Sequence, residues 1–213
     1  MHDTDAITLA SQLCSRLCHD LLSPVGALSN GLELLADEED PEMRQRCLEL
    51  LEQSARTSAN KLKFFRLAYG AAGGFGDRVD VTEPKAVIEA LAADAKRVEI
   101  NWAIATDSLP KPAVKVMLNY AQMGLDALVR GGTLDVGAER RDGASEIVVR
   151  AAGPKVAFDV SVGKALEGLL PADGLSGRTA PAYMLSILAD SCEGELQYQL
   201  SEEALVLGAV LPG

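Results

Sequence analysis

Residues 17–35 read Leu17-Cys-His-Asp-Leu-Leu-Ser-Pro-Val-Gly-Ala-Leu-Ser-Asn-Gly-Leu-Glu-Leu-Leu35. Its apolar residues are spaced alternately four and three apart, which is the heptad pattern of a helix that packs along one stripe. The stripe starts just upstream and consists of Cys14, Cys18, Leu21, Val25, Leu28, Leu32 and Leu35. The pattern predicts a helix over about residues 5–36.

A second helix with the same pattern follows after a short acidic turn. Residues 37–40 are all acidic, and Pro41 suits the first turn of a new helix. Gly70 is a natural stop for this helix. Two helices joined by so short a turn pack antiparallel, and a lone hairpin leaves part of its apolar stripe in water. We therefore expect a homodimer through residues 5–69 that closes a four-helix bundle. The second stripe consists of Met43, Cys47, Leu51, Ala55, Ser58, Leu62, Phe65 and Tyr69.

The composition excludes several classes of protein. The 213 residues include 20 Lys and Arg against 31 Asp and Glu, a net charge of -11. This balance argues against a nucleic-acid binder, which needs a basic face, and against docking on an anionic membrane. The four cysteines form no C-x-x-C pair, which indicates a reduced, cytoplasmic chain. Cys14 and Cys18 are expected to be buried in the apolar stripe as small hydrophobic residues rather than to bind a metal. Neither a signal peptide nor a membrane anchor is expected.

The pattern changes after a glycine-rich segment over residues 70–76. We therefore expect two domains, a helical hairpin over residues 1–72 and a mixed domain over residues 73–213. Helices alternate there with consecutive strand pairs, which predicts an α+β architecture with one sheet backed by helices on one face. Helices are expected near residues 84–96, 113–130, 164–169 and 181–192, and strands near residues 98–105, 133–139, 146–151, 195–200 and 204–210.

His19 stands one position outside the first apolar stripe, and its neighbour Asp20 is expected on the outer face too. The chain has only one other histidine, His2. A His-rich metal site is therefore excluded. His19 is either a tolerated surface residue or a nucleophile that faces water beside a docking surface. The second interpretation is favoured by Pro24, because a proline inside a helix costs about 3 kcal/mol and needs a reason, such as a bend beside a site. It is also favoured by the small or uncharged residues on the same face, Ser23, Gly26, Ala27 and Asn30.

The sequence His19-Asp-Leu-Leu-Ser-Pro24 resembles the H-box of sensor histidine kinases. In those enzymes the histidine lies on the first helix of a dimeric bundle and is phosphorylated on a ring nitrogen. The resemblance implies that His19 is the phosphoacceptor, that Asp20 orients or activates it, and that Ser23 contacts the active site of a receiver domain.

The second half is similar in its order of elements to the ATPase domain of those kinases, the Bergerat fold, but it lacks the nucleotide-binding residues. Met123 stands at the second asparagine of the N-x-x-x-N motif that begins at Asn119. No aspartate occurs in residues 150–155, where D-x-G-x-G is expected, and the Gly-rich lid is reduced to residues 174–178. The resemblance thus implies a degenerate ATPase-like domain without ATP binding, kinase activity, cofactor or metal, so that magnesium comes from the partner receiver.

A phosphoaccepting hairpin with a disabled kinase half resembles the ChpT-type histidine phosphotransferases of alphaproteobacteria. That resemblance implies a phosphohistidine relay from the receiver of a hybrid histidine kinase to response regulators, of the cell-cycle type from CckA to CtrA and CpdR. An active kinase, a non-catalytic dimeric adaptor and a receiver phosphatase are the alternatives. The expected receiver-binding residues are Leu22, Gly26, Ala27 and Asn30 on the first helix and Arg44, Gln45 and Leu48 on the second.

Overall fold

The computed structural model describes residues 3–70, 77–95, 97–171 and 173–213. It opens with two long helices, α1 (Asp3–Asp37) and α2 (Pro41–Ala68), close to the predicted bounds. α1 continues through Pro24. The Asp40 side chain caps α2 by accepting hydrogen bonds of 2.9 Å from the amides of Glu42 and Met43.

The two helices pack along each other, and their approach is close at Gly31. A β-carbon placed on Gly31 would lie 2.9 Å from Leu51 Cδ2. At the turn, Arg44 Nη1 donates to the main-chain oxygens of Leu35 (3.0 Å) and Glu38 (2.7 Å), which satisfies carbonyls that the end of α1 leaves free. The predicted antiparallel hairpin is confirmed.

The prediction that Cys14 and Cys18 are buried in the apolar stripe is wrong for the single chain, in which both are exposed. The reason is that only one side of each apolar stripe is covered within the single chain, while the other side stays exposed. One side, which includes Leu21, Leu28 and Leu35 of α1, is partly buried. The other side is exposed and comprises Cys14, Cys18, Val25 and Leu32 of α1 with Met43, Ala55 and Leu62 of α2.

The described elements of the second half are β1 Arg78–Asp80, α3 Thr82–Asp94, β2 Val98–Ile104, β3 Ser108–Pro110, α4 Lys111–Ala127, β4 Gly132–Arg141, β5 Ala144–Ala152, α5 Val160–Leu166, α6 Ala180–Ser191, β6 Glu195–Leu200 and β7 Ala204–Pro212. Five strands form a mixed sheet in the order β2-β4-β5-β7-β6. β2 pairs with β4 in parallel, and the remaining neighbours are antiparallel. Two three-residue strands, β1 and β3, form a separate antiparallel pair that the sequence did not reveal, because so short a segment shows no period.

Helices α3, α4, α5 and α6 contact the same sheet, and α4 lies across its central strands. Strand residues alternate between burial beneath these helices and exposure on the opposite face, where Val148 and Val210 face solvent. The predicted α+β fold class, a helical hairpin followed by a sheet backed by helices, is confirmed.

The end of α2 belongs to the core of the second half. Phe64, Phe65, Leu67 and Ala68 are buried in one cluster with residues of α3, α4 and the sheet. This packing joins the hairpin to the second half. The expected glycine-rich linker and the domain boundary at 72/73 fall in residues 71–76, and His2 precedes residue 3, so these predictions lie outside the described residues. Among the described helices, none is long and apolar enough to cross a membrane.

Candidate functional site

His19 projects from the middle of α1 into solvent. Its side chain is 85% exposed, and its Nδ1 lies 3.2 Å from Asp20 Oδ1. This contact engages one ring nitrogen and leaves Nε2 open to solvent. The predicted exposure of His19 is confirmed.

Asp20 was expected on the outer face beside His19, but its side chain is only 21% exposed. It turns toward Arg16, one helical turn earlier, whose Nε donates to Asp20 Oδ2 at 2.7 Å. Burial acts to raise the pKa of Asp20, but the hydrogen bond and charge of Arg16, with smaller contributions from His19 and Lys61, hold it below its usual value. Asp20 is therefore an ionised acceptor for His19.

Arg16 and Lys61 complete the surroundings of Asp20, and sequence reasoning missed both. Arg16 Nη2 also lies 3.5 Å from Asp126 Oδ2 of α4, so it connects the His19 turn with the second half. Lys61 of α2 donates from Nζ to the main-chain oxygen of Asp20 at 2.9 Å. The spacing of Arg16 and Asp20, four residues apart on one helix, is a signal that could have identified the first of these contacts.

The expected docking face on α1 lies at the surface. Leu22 is 71% exposed, and Ser23 and Asn30 are exposed as well. Gly26 and Ala27 are half-buried, and a β-carbon on Gly26 would meet no atom within 4 Å. These five residues therefore lie along one face of α1 that starts one turn after His19, and two of them are half-buried. Their contact with a receiver stays a prediction.

The three residues predicted on α2 lie near the turn of the hairpin. Arg44 binds the carbonyl of Leu35, sixteen positions after His19, which corresponds to about 24 Å of helical rise. Gln45 donates to Glu49 at 3.0 Å, and Leu48 is exposed. A partner that contacts His19 and these residues together would have to cover about half the length of the hairpin.

A cleft of about 950 Å³ lies between α1 and the second half. His19, Asp20 and Arg16 line one wall, and the other wall includes Asn119 and Met123 of the N-x-x-x-N segment and Arg178 of the expected lid segment. Asn119 is buried, and its amide donates to the main-chain oxygen of Lys115 at 2.8 Å within its own helix.

Arg178, in the expected lid segment, forms a 3.1 Å ion pair with Asp159. Residues of the N-x-x-x-N segment and of the expected lid segment therefore line the same cleft as His19, whereas none of residues 150–155 lines it. Across the described residues, no group of three or more His, Cys, Asp or Glu side chains is placed to hold a metal ion. All four cysteines are free.

Comparisons with known proteins show the family of the chain. The family model of the histidine phosphotransferase C-terminal domain matches residues 81–204. The chain is 32% identical over 204 residues to the protein phosphotransferase ChpT of Brucella abortus (strain 2308), and the match covers 96% of both chains. It is also similar to the solved structure of a bacterial phosphotransferase, with a TM-score of 0.83, 30% identity and coverage of 98% of this chain and 97% of that one. The chain therefore belongs to the ChpT-type histidine phosphotransferases, and it is a phosphotransferase.

Proposed function

We propose that the protein relays a phosphoryl group from the aspartate of one receiver domain to the aspartate of another through His19. The observation that carries this proposal is an imidazole that is 85% exposed, held through Nδ1 by an ionised carboxylate, and next to an open face of small side chains. In the relay expected from the family resemblance, a hybrid histidine kinase supplies the phosphoryl group and response regulators receive it, in a cell-cycle pathway of the CckA-to-CtrA and CpdR type.

The reacting atom in this proposal is Nε2 of His19. Nδ1 of the neutral ring carries the proton and donates a hydrogen bond to Asp20. The lone pair of the ring is then on Nε2, which faces solvent. Nε2 attacks the aspartyl phosphate in line, an N–P bond forms, and the bond from phosphorus to the receiver carboxylate breaks. The ring keeps its Nδ1 proton and becomes cationic, and the Asp20 carboxylate stabilises that charge.

The second transfer reverses these steps on another receiver. The carboxylate of its aspartate attacks the phosphorus, the N–P bond breaks, and the imidazole returns to its neutral form. This chain contributes an oriented nucleophile, the His19 imidazole, and a surface that positions the receiver against it. We expect the magnesium ion that neutralises the phosphate to belong to the receiver, and we expect no nucleotide in the second half.

The docking surface in this proposal is the face of α1 formed by Leu22, Ser23, Gly26, Ala27 and Asn30. Small side chains let receiver loops approach the imidazole closely, while the apolar Leu22 offers area to bury. Ser23 lies one turn from His19 and is exposed, so its hydroxyl can reach the partner's active site. Arg44, Gln45 and Leu48 would extend the contact toward the turn.

The exposed side of the heptad stripe supports assembly as a homodimer. Leu32 is 59% exposed and Leu62 is 52% exposed, although both belong to apolar stripes. A second hairpin would cover these side chains and complete a four-helix bundle. Light scattering at micromolar concentration is expected to give the mass of two chains. Leu62→Glu should give the mass of one chain, and a single-chain mass for the unmodified protein contradicts the dimer.

The relay is tested by mixing the protein with a phosphorylated hybrid-kinase receiver and a second, unphosphorylated receiver. An acid-labile, base-stable label is expected on the wild-type protein and absent from His19→Gln, and the second receiver should become labelled only through wild type. Radiolabelled ATP alone should leave the protein unlabelled. Unchanged flow through His19→Gln would favour an adaptor, whereas loss of receiver phosphate without His19 would favour a phosphatase.

A further inference from the structure

Pro24 leaves a gap in the hydrogen bonding of the turn that carries His19. In an α-helix the carbonyl of each residue accepts a hydrogen bond from the amide four positions later. Proline has no amide hydrogen, so the main-chain oxygen of Asp20 loses its helical donor. Pro24 is buried and the main-chain oxygen of Asp20 is in a partly buried environment, where an unsatisfied carbonyl is disfavoured.

Lys61 donates to this same oxygen from the neighbouring helix. Its Nζ lies 2.9 Å from the main-chain oxygen of Asp20, and the contact is partly buried. The donor that α1 lacks is therefore provided by α2. In a helix without proline, an amide of the same helix donates to this carbonyl, so the hydrogen bond does not depend on a neighbouring helix. Here the hydrogen bond forms only if the register between α1 and α2 places Lys61 beside the Asp20 carbonyl.

The positive charge of the Lys61 ammonium group also acts on the Asp20 carboxylate. Arg16, His19 and Lys61 are the groups that lower the pKa of Asp20 against the effect of its burial. Arg16 contacts the side chain of Asp20, and Lys61 contacts its main chain. The two cations thus hold Asp20 at separate atoms, and Asp20 in turn holds Nδ1 of His19.

We propose that Lys61 is a positioning residue for phosphotransfer. It gives the Asp20 carbonyl the hydrogen bond that Pro24 withholds, and so fixes the turn of α1 that presents His19. This inference rests on the proposed role of His19 as the phosphoacceptor. A lysine that only adds contact between two helices would act in the same way whether or not residue 24 has an amide hydrogen.

The test is a double-mutant cycle that restores the missing donor. Lys61→Met removes the ammonium group and keeps the stem, while Pro24→Ala returns an amide hydrogen to the Asp20 carbonyl. We expect Lys61→Met to slow single-turnover transfer to His19 about tenfold in the wild-type background and less than threefold in the Pro24→Ala background. Lys63→Met, which changes an exposed lysine on the same helix, is the matched control and should leave the rate unchanged.

Two further readouts do not depend on phosphotransfer. Nitrogen-15 spectra of the His19 ring should show shifted signals in Lys61→Met and wild-type signals when Pro24→Ala is added. The urea midpoint should show the same coupling. An equal loss in both backgrounds, or no loss at all, overturns the proposal. If wild type accepts no label while the spectra and midpoints still show the coupling, the proposed function fails and the positioning contact stands.

Discussion

Replacing Asp20 with asparagine removes one negative charge beside His19 and keeps the shape of the side chain. In the proposed mechanism, phosphorylation of Nε2 makes the ring cationic, and the nearest anion is Asp20 Oδ1 at 3.2 Å from Nδ1. Two unit charges at that distance attract by about 1.3 kcal/mol in water and by about 5 kcal/mol at an effective dielectric constant of 20.

The exposure of His19 places this interaction near the lower limit, at about 1.5–2 kcal/mol. We therefore expect Asp20→Asn to slow single-turnover transfer from a phosphorylated receiver by roughly 10- to 30-fold. The assay follows the label on rapidly quenched samples at receiver concentrations that saturate binding, so that the chemical step is measured.

The matched control is Glu99→Gln, which makes the same change of charge at an exposed position on β2. It should change the rate less than twofold. Transfer by Asp20→Asn within twofold of the wild-type rate would refute the role of the carboxylate. A loss of four orders of magnitude with wild-type folding would show that Asp20 does more than stabilise charge.

Three further predictions follow from contacts and space around the site and the sheet. Arg16→Met should lower the free energy of unfolding by about 1–2 kcal/mol and slow transfer. Arg56→Met, which removes an exposed ion pair, should change the free energy of unfolding by less than about 0.5 kcal/mol. Equal urea midpoints for the two variants would contradict this expectation. Because folding lowers the pKa of Asp20, ionisation of this side chain stabilises the fold at pH values above the usual pKa of an aspartate. This contribution disappears as the pH falls through the lowered pKa of the folded state. The stability difference between wild type and Asp20→Asn, followed by urea unfolding from pH 7 to pH 3, should therefore shrink below about pH 4, and a constant difference contradicts the account. Gly153→Ala should cost about 2 kcal/mol in thermal unfolding because its β-carbon would collide with a main-chain oxygen, whereas Gly208→Ala, with no atom within 4 Å, should be nearly neutral; equal melting temperatures contradict this.

The hairpin could be predicted almost completely from sequence, because a heptad stripe and Pro41 determine where the two helices run. The pattern could not tell which side of each stripe meets the other helix of the same chain. For this reason the pattern predicts that Cys14 and Cys18 are buried, whereas both are exposed in the single chain.

The site was predictable only where it is local in sequence. His19 and Asp20 stand next to each other, so the exposure of His19 and its contact with Asp20 could be predicted from the helix. The partial burial of Asp20 could not, because it depends on packing against other parts of the fold. Arg16 was accessible to the same reasoning through its spacing of four residues from Asp20. Lys61 was not, because its contact with Asp20 depends on the register of α2 against α1, which only the folded hairpin determines.

Nitrogen-15 and phosphorus-31 NMR of the protein after transfer from a phosphorylated receiver would identify the atom that carries the phosphoryl group. We expect one phosphorylated residue, His19, with phosphorus bonded to Nε2 and a proton retained on Nδ1. Phosphorus on Nδ1, or on any other residue, would contradict this expectation.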